Sequence, residues 1–300
     1  MKYTSVSDFS PFIQRSELAA YTKKSYLTRL RGLEHYLKKS SFDIVRDAAP
    51  SIQAIRDIFV KPTSLKSYLL IPMALFRHVP HLKEQLAAAH KLWSEAYAQT
   101  NEAVDTQYKQ NKPSERQLEG YVPFADIAAK RGTLPKGSAE RLLLAMYTLI
   151  YPMRADYNAV RLYARQLPAQ PEANYILLGA RGCKLVLREY KTARTHGVYE
   201  KELPAALCEE IHDSLAAAPR EYLFVNSYNK PYTDANGYVA FANRVFKRVF
   251  GKPLTINIVR HAFISSLDYN QLSVADKEAI AREMGHTAAI QDQYRLIFDK

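Results

Sequence analysis

Apolar residues recur at helical spacing through the first hundred residues of the chain. The first such helix begins near Thr22, and its apolar positions are Tyr26, Leu30, Leu33 and Leu37. Three further helices are predicted over Ile52–Phe59, Ser64–Phe76 and Leu82–Tyr97. Four helices in about 80 residues make a bundle the size of one small domain. We therefore predict a helical domain over residues 1–98.

The apolar pattern fades over Gln99–Pro113, which is polar and ends in Asn-Lys-Pro. A linker is predicted here, although a polar extension of the preceding helix fits the same residues. Helical spacing resumes over Ser114–Arg131 and Lys136–Ile150, and the second helix stops before Pro152. Residues 114–300 are predicted to form the second domain, with residues 99–113 as the linker.

The clearest β signal lies in the middle of the second domain. Three segments alternate or run apolar, namely Asn174–Gly179, Cys183–Tyr190 and Val198–Leu203. Turns at Arg181-Gly182 and at the basic segment Lys191–Gly197 separate them. The pattern predicts a three-stranded antiparallel meander, so the fold class is mainly α with a small antiparallel sheet.

The last stretch, Leu254–Lys300, predicts three short helices. Their candidate capping residues are, in order, Asn257, Ser273 with Asp276, and Thr287. Gly285 suits the left-handed position that ends the second of these helices. Three polar side chains are thereby delivered to one neighbourhood: Arg260, His286 and Tyr294.

Charge narrows the class of partner. The 300 residues include 42 Lys and Arg against 30 Asp and Glu, a net charge of +12 with a pI near 9.5. Such an excess favours a polyanion, above all nucleic acid. A hydrophobic content of 47% with only 10 Gly is typical of a folded chain and excludes a disordered one.

The cysteines and the lengths of the apolar runs indicate the cellular compartment. The two cysteines, Cys183 and Cys208, form no disulfide framework, which indicates a reducing, intracellular setting. No apolar run approaches the roughly 18 residues of a membrane helix, and the start MKYTSVSDFS lacks the apolar core of a signal peptide. We expect a soluble intracellular protein that does not contact a membrane.

The order of residues near the C-terminus resembles the tyrosine recombinase (phage-integrase) family. An Arg260-His261-x-Phe263 run is followed by Met284-Gly285-His286 and then by Tyr294. Upstream, Pro152-Met153-Arg154-Ala155-Asp156-Tyr157 is closest in style to recombinases of large DNA viruses and eukaryotic mobile elements. By this resemblance the catalytic residues are Arg154, Lys191, Arg260, His286 and Tyr294.

The resemblance implies a chemistry that suits these residue types. Two guanidiniums would stabilise the charge on a phosphodiester in the transition state. Tyr294 would attack to give a 3′-phosphotyrosine, and Lys191 would protonate the leaving 5′-oxygen. Cleavage and rejoining would then need no metal, no ATP and no other cofactor. The implied activity is site-specific DNA recombination or integration.

The resemblance also implies an architecture and partners. A helical core-binding domain and the catalytic domain would form a C-shaped clamp on double-stranded DNA, working as a homo-oligomer, either a dimer or a tetramer. The candidate phosphate contacts are Lys24, Arg29, Arg31, Arg194 and Asn257. Asn257 stands where the family commonly has a histidine, and it fits a phosphate contact and a helix cap equally well.

Two other functions fit the same pattern. A type IB topoisomerase uses the same residue types to relax supercoils, although the interval between Arg260 and His286 is more typical of recombinases. The other function is that of a DNA-binding protein that has this fold and no catalytic activity. Taken singly, each residue also has a structural interpretation: Arg154 would cap a helix end against Asp156, and Lys191 would be a solvated turn residue.

Overall fold

A computed structural model describes residues 8–164, 166–179 and 182–298 of the chain. Helices predominate, and one four-stranded sheet accompanies them within these ranges. The chain divides into two compact units, Met1–Gln110 and Asn111–Lys300. The fold class predicted from the sequence, mainly α with a small sheet, is confirmed.

The first unit is a helical bundle. Its helices are α1 (Ser10–Arg15), α2 (Ala20–Leu37), α3 (Ser41–Arg46), α4 (Ala48–Ile58), α5 (Pro62–His78), α6 (Leu82–Gln85) and α7 (Ala87–Lys109). Trp93 on α7 is fully buried and donates its indole N–H to the carbonyl of Val45, at 2.9 Å. The short helices α1 and α3 were not predicted because one or two turns carry too little apolar periodicity. The helix predicted over Leu82–Tyr97 is divided at Leu86 into α6 and the start of α7.

The predicted linker is wrong over most of its length. Residues 99–109 continue α7, because a buried stripe runs on past the polar residues at a spacing of four. Ala96, Thr100 and Val104 form this stripe, and the residues between them face solvent or are half-buried. Only a short non-helical segment around residues 110–114 separates α7 from the next helix.

The second unit holds the remaining helices and the sheet. The helices are α8 (Glu115–Gly120), α9 (Phe124–Gly132), α10 (Ala139–Thr148), α11 (Ala193–His196), α12 (Ala205–Ala217), α13 (Ala235–Phe250), α14 (Ile256–Ser266), α15 (Val274–Glu283) and α16 (Ala288–Asp292). Helix α10 runs through the core, with the side chains from Leu142 to Tyr147 buried.

The sheet has the order β1-β2-β3-β4. Its strands are β1 (Arg161–Ala164), β2 (Asn174–Gly179), β3 (Gly182–Leu187) and β4 (Tyr199–Glu202). The predicted antiparallel meander is confirmed as β2, β3 and β4, whereas Arg181 of its first turn lies outside the described residues. Strand β1 adds a parallel edge that was not predicted, so the sheet is mixed. It is four residues long and only half-buried, which leaves no clear alternation in the sequence.

None of the helices in the described residues is both long enough and apolar enough to cross a membrane.

Candidate active site

Helix α14 carries the arginine at the centre of the site. Thr255 is its N-cap and accepts a hydrogen bond from the backbone N–H of Ile258, at 3.3 Å. The prediction that Asn257 caps this helix is therefore wrong: Asn257 lies two residues into the helix with its side chain exposed. Starting the helix at Ile256 turns Val259 and Ala262 into the core.

Arg260 is almost entirely buried, with 1% of its surface exposed. Its Nη1 donates to the carbonyl oxygens of Pro152 (2.7 Å) and Met284 (3.2 Å), and its Nη2 donates to Nδ1 of His286 (2.9 Å). The guanidinium thus ties α14 to the loop after α10 and to the end of α15. Its Nε has no hydrogen-bond partner in the described structure.

Helix α15 ends as the sequence predicts. Ser273 and Asp276 form a capping box at its start, and Gly285 adopts a left-handed conformation, with φ of +67°, after its end. The backbone N–H of His286 then donates to the carbonyl of Ala281, at 2.9 Å. This closing turn fixes His286 in a buried position, with 3% of its surface exposed.

The carbonyl of Gly285 binds two further parts of the site. It accepts hydrogen bonds from Nη1 of Arg154 and, at 3.0 Å, from the hydroxyl of Thr192. Thr192 had not been identified from the sequence, because a threonine in a basic turn carries no signal of its own. The end of α15 therefore holds both arginines through adjacent carbonyl oxygens, those of Met284 and Gly285.

The sequence suggested that Arg154 lies at the end of a helix, but the structure places it elsewhere. Helix α10 stops at Thr148, and Arg154 lies in the loop that follows it. The loop is anchored by the buried side chain of Met153 and by the hydroxyl of Tyr147, which donates to the carbonyl of Arg154 at 3.0 Å. The rigid loop, rather than a helix end, positions the guanidinium.

Asp156 has a different partner from the predicted one. Its Oδ1 accepts a hydrogen bond from the backbone N–H of Lys191, at 3.1 Å, instead of binding the Arg154 guanidinium. Together with the bond from Thr192 to Gly285, this contact fixes the basic turn beside the two arginines. The side chain of Lys191 itself remains exposed. Part of this turn forms α11, a single helical turn that the sequence did not predict.

Tyr294 lies just beyond α16, which Thr287 caps as predicted. Its half-buried ring stands over the Arg260 guanidinium, with 4.8 Å between the guanidinium carbon and the ring centre. The ring centres of His286 and His261 lie 5.1 Å and 4.7 Å away. The structure thus brings Arg154, Arg260, His286 and Tyr294 together, with the Lys191 turn at their edge.

The charges of this cluster alter its acid–base properties. Burial, reinforced by the positive charges of Arg260 and Arg154, lowers the pKa of His286 to about 3. Burial alone would raise the pKa of the Tyr294 phenol, but Arg260 and Arg154 outweigh it and the pKa is lowered. Burial raises the pKa of Asp156, opposed by the Lys191 N–H and by the two arginines.

The hydrogen bond from Arg260 determines the tautomer of His286. Its imidazole is neutral near pH 7, and Nδ1 accepts from Arg260, so the proton lies on Nε2. This Nε2–H has no acceptor in hydrogen-bonding geometry among the described residues, although the amide of Gln291 is near enough to influence the pKa. The site therefore holds a buried donor that an anionic ligand would satisfy.

The predicted phosphate contacts lie on two different units. Lys24 and Arg31 are exposed on α2, whereas Arg29 is half-buried and donates to the hydroxyl of Ser25. In the second unit, Arg194 is exposed on α11 and Asn257 is exposed on α14.

Comparison with known proteins gives likenesses in structure but none in sequence. No protein-family model matches the sequence, and no curated protein matches it. A crystal structure of XerA recombinase aligns with 97% of this chain and 92% of its own chain, at 14% identity and a TM-score of 0.42. A likeness of this strength leaves the activity of the chain to be argued from its own residues.

Proposed function

We propose that this protein is a site-specific DNA recombinase or integrase that cleaves and rejoins strands through a 3′-phosphotyrosine. The observation that carries the proposal is the gathering of two guanidiniums, an unpaired imidazole N–H and a tyrosine of lowered pKa at one place. The four residues come from three separate segments of the chain, so their meeting is a property of the fold.

The charges of the site favour the binding of an anion. Neither Arg154 nor Arg260 forms a salt bridge within the described part of the chain, and both bind neutral carbonyl oxygens instead. The carboxylate of Asp156 acts on both guanidiniums electrostatically without binding either, and a phosphate would add a negative charge in direct contact with them. Arg154, Arg260 and the Nε2–H of His286 are the donors that would bind its non-bridging oxygens in the transition state.

Tyr294 supplies the nucleophile in this proposal. Its lowered pKa favours loss of the phenol proton to solvent, after which Oη forms a bond to phosphorus. The bond from phosphorus to the 5′-oxygen breaks, and the leaving oxygen takes a proton from Lys191. Rejoining reverses the step with a 5′-hydroxyl from another strand, which is why we propose a dimer or tetramer on DNA.

The ring of Tyr294 covers the guanidinium of Arg260. Arg260 is buried beneath the tyrosine ring, so a phosphate reaches the guanidinium only when this ring swings away from it. The motion requires rotation of one half-buried side chain, whereas Arg260, His286 and Arg154 are already held by backbone carbonyls. Binding of DNA and exposure of the nucleophile are therefore coupled in this proposal.

The decisive experiment is covalent trapping on a library of nicked duplexes, in which the cleaved fragment diffuses away. Wild type is expected to form a protein–DNA adduct, and Tyr294→Phe is expected to form none while binding DNA equally well. Tyr269→Phe is the matched control, because Tyr269 packs in the same small apolar cluster and lies outside the proposed chemistry. An adduct in Tyr294→Phe would refute the assignment.

A second assay separates the proposal from its nearest alternatives. A type IB topoisomerase would relax a supercoiled plasmid that lacks any cognate site, whereas a recombinase should require paired sites. Clear DNA binding without any adduct in wild type would instead support a non-catalytic DNA-binding protein.

A further inference from the structure

His261 is the neighbour of Arg260 on α14, and it contacts the backbone of Tyr294. Its Nδ1 lies 2.7 Å from the carbonyl oxygen of Tyr294, and its Nε2 lies 3.1 Å from Nε2 of Gln117. The imidazole is buried, with 8% of its surface exposed. Consecutive residues of one helix thus hold the same tyrosine: Arg260 contacts its ring, and His261 contacts its main chain as well as its ring.

The partners of His261 permit one tautomer. A carbonyl oxygen only accepts, so Nδ1 must carry a proton and donate it to Tyr294. The Gln117 oxygen already accepts from the backbone N–H (2.9 Å) and the hydroxyl (2.8 Å) of Ser114, in the capping box of α8. The amide nitrogen of Gln117 therefore faces the ring, and Nε2 of His261 must accept from it.

The neutral state fits the surroundings of the ring. Burial lowers the pKa of His261, and the charge of Arg260 acts in the same direction, against the opposing effect of the Tyr294 carbonyl. A protonated ring would also direct a second N–H at the amide group of Gln117. The histidine is thus a fixed, uncharged link between the cap of α8 and the tyrosine.

Other contacts hold the chain on the far side of Tyr294. The backbone N–H of Leu296 donates to the hydroxyl of Ser265, at 2.8 Å, and that of Ile297 donates to the carbonyl of Asn111, at 2.9 Å. His261 provides the side-chain contact to the main chain of Tyr294 itself. This bond is made to the main chain and does not involve the phenol hydroxyl.

We propose that His261, supported by Gln117, is a positioning residue that fixes the main chain of Tyr294, so that DNA binding moves the phenol and not the segment. The positioning is a property of the folded protein and does not depend on its activity. Its effect on catalysis rests on the proposed recombinase function.

Three substitutions separate the two hydrogen bonds of His261. In His261→Asn the amide nitrogen takes the place of Nδ1 and keeps the bond to Tyr294. In His261→Gln the amide lies one bond further out, which keeps the contact with Gln117 and loses the bond to Tyr294. His261→Phe keeps the ring and loses both bonds. Gln117→Met is a milder variant, because Gln117 lies outside the core. It takes the place of His261→Phe if that variant does not fold.

The first measurement is the rate of adduct formation at saturating nicked DNA. A misplacement of about 1 Å can cost roughly 100-fold in rate, so we expect losses of about 10- to 100-fold in His261→Phe and His261→Gln. His261→Asn should recover most of the wild-type rate, and Gln117→Met should lose only a few-fold. DNA affinity should stay unchanged in every variant, because the ring is buried.

The second measurement is hydrogen exchange of the protein without DNA over residues 287–298, which contain the hydrogen-bonded N–H groups of Tyr294, Leu296 and Ile297. Exchange should speed up in His261→Phe and His261→Gln but not in His261→Asn, while a peptide from α10 stays unchanged. Wild-type exchange in His261→Phe would overturn the proposal, and so would an asparagine variant that behaves like phenylalanine. If wild type forms no adduct, the recombinase function fails, and the exchange result still decides the positioning.

Discussion

Arg260 shows how one residue serves both the fold and the proposed chemistry. Its guanidinium joins three segments through the carbonyls of Pro152 and Met284 and through the ring of His286. These neutral partners bind its two Nη groups without neutralising its charge. The residue is therefore held in place by the protein and, in the proposed function, remains electrostatically attractive to a phosphate.

Removal of either arginine should impair the chemical step. For Arg154→Ala and Arg260→Lys we expect adduct formation at saturating DNA to fall by about 100- to 1,000-fold, or roughly 3–4 kcal/mol of transition-state stabilisation, as for a lost oxyanion donor. Lysine at 260 keeps the charge and avoids an empty buried site, but it cannot reproduce the planar fork of donors. Single-turnover trapping gives the rate.

Arg248→Ala is the matched control for these variants. Arg248 lies in the same unit, is exposed on α13 and forms a salt bridge with Glu140 at the surface. Its removal should leave the adduct rate unchanged. Equal losses in Arg248→Ala and Arg154→Ala would mean that the effect reflects general charge and not the proposed site.

At the scale of elements, the end of α15 organises the site. Its last turns expose carbonyl oxygens that no helical N–H satisfies, and the oxygens of Met284 and the following Gly285 bind the two arginines. The left-handed conformation of Gly285 directs its carbonyl to Arg154 and Thr192. The end of α15 thus holds Arg154, which lies in a loop, in a defined position.

Gly285→Ala should affect both stability and cleavage. A side chain at φ of +67° costs about 1–2 kcal/mol, and its Cβ would lie 3.4 Å from the hydroxyl of Thr192 and 3.7 Å from Nη1 of Arg154. We expect a lower unfolding free energy together with slower adduct formation. Urea unfolding and single-turnover trapping measure the two effects.

Gly251→Ala provides the comparison. Gly251 ends α13 at φ of +68°, and a Cβ there meets nothing within 4 Å. This variant should lose similar stability but keep the wild-type adduct rate. If both alanine variants cleave equally slowly, the carbonyl of Gly285 has no special part in positioning Arg154.

At the scale of the whole molecule, the net charge of +12 sets the expected affinity for DNA. Exposed basic residues occur in both units, with Lys24 and Arg31 on α2 and Arg194 on α11. Lys24 and Arg31 are seven residues apart and so lie on one face of their helix. Such residues bind phosphate without reading sequence.

DNA binding should weaken steeply with salt. Each phosphate contact contributes about 0.9 to the slope of log affinity against log salt, so Lys24→Ala and Arg31→Ala should each reduce that slope by roughly 1. Fluorescence anisotropy at several salt concentrations gives the slope. Lys91→Ala is the control, because Lys91 is exposed in the same unit but lies near Glu95 on α7. An unchanged slope in all three variants would exclude α2 as a phosphate-binding surface.

The sequence by itself determined the features that depend on local order. Helical periodicity, the meander of β2 to β4, the capping box at Ser273 and the left-handed glycine at 285 all follow from residues close together in the chain. The same local signals singled out Arg154, Arg260, His286 and Tyr294, because their types and order carry the resemblance.

Only the tertiary structure decided what depends on distant contacts. Burial of Thr100 and Val104 extends α7 into the expected linker. The parallel strand β1, the partner of Asp156 and the link from Gln117 through His261 to Tyr294 join residues far apart in the sequence. Which side chains are buried and which polar groups find hydrogen-bond partners depends on how the whole chain packs. A local sequence pattern therefore does not predict them.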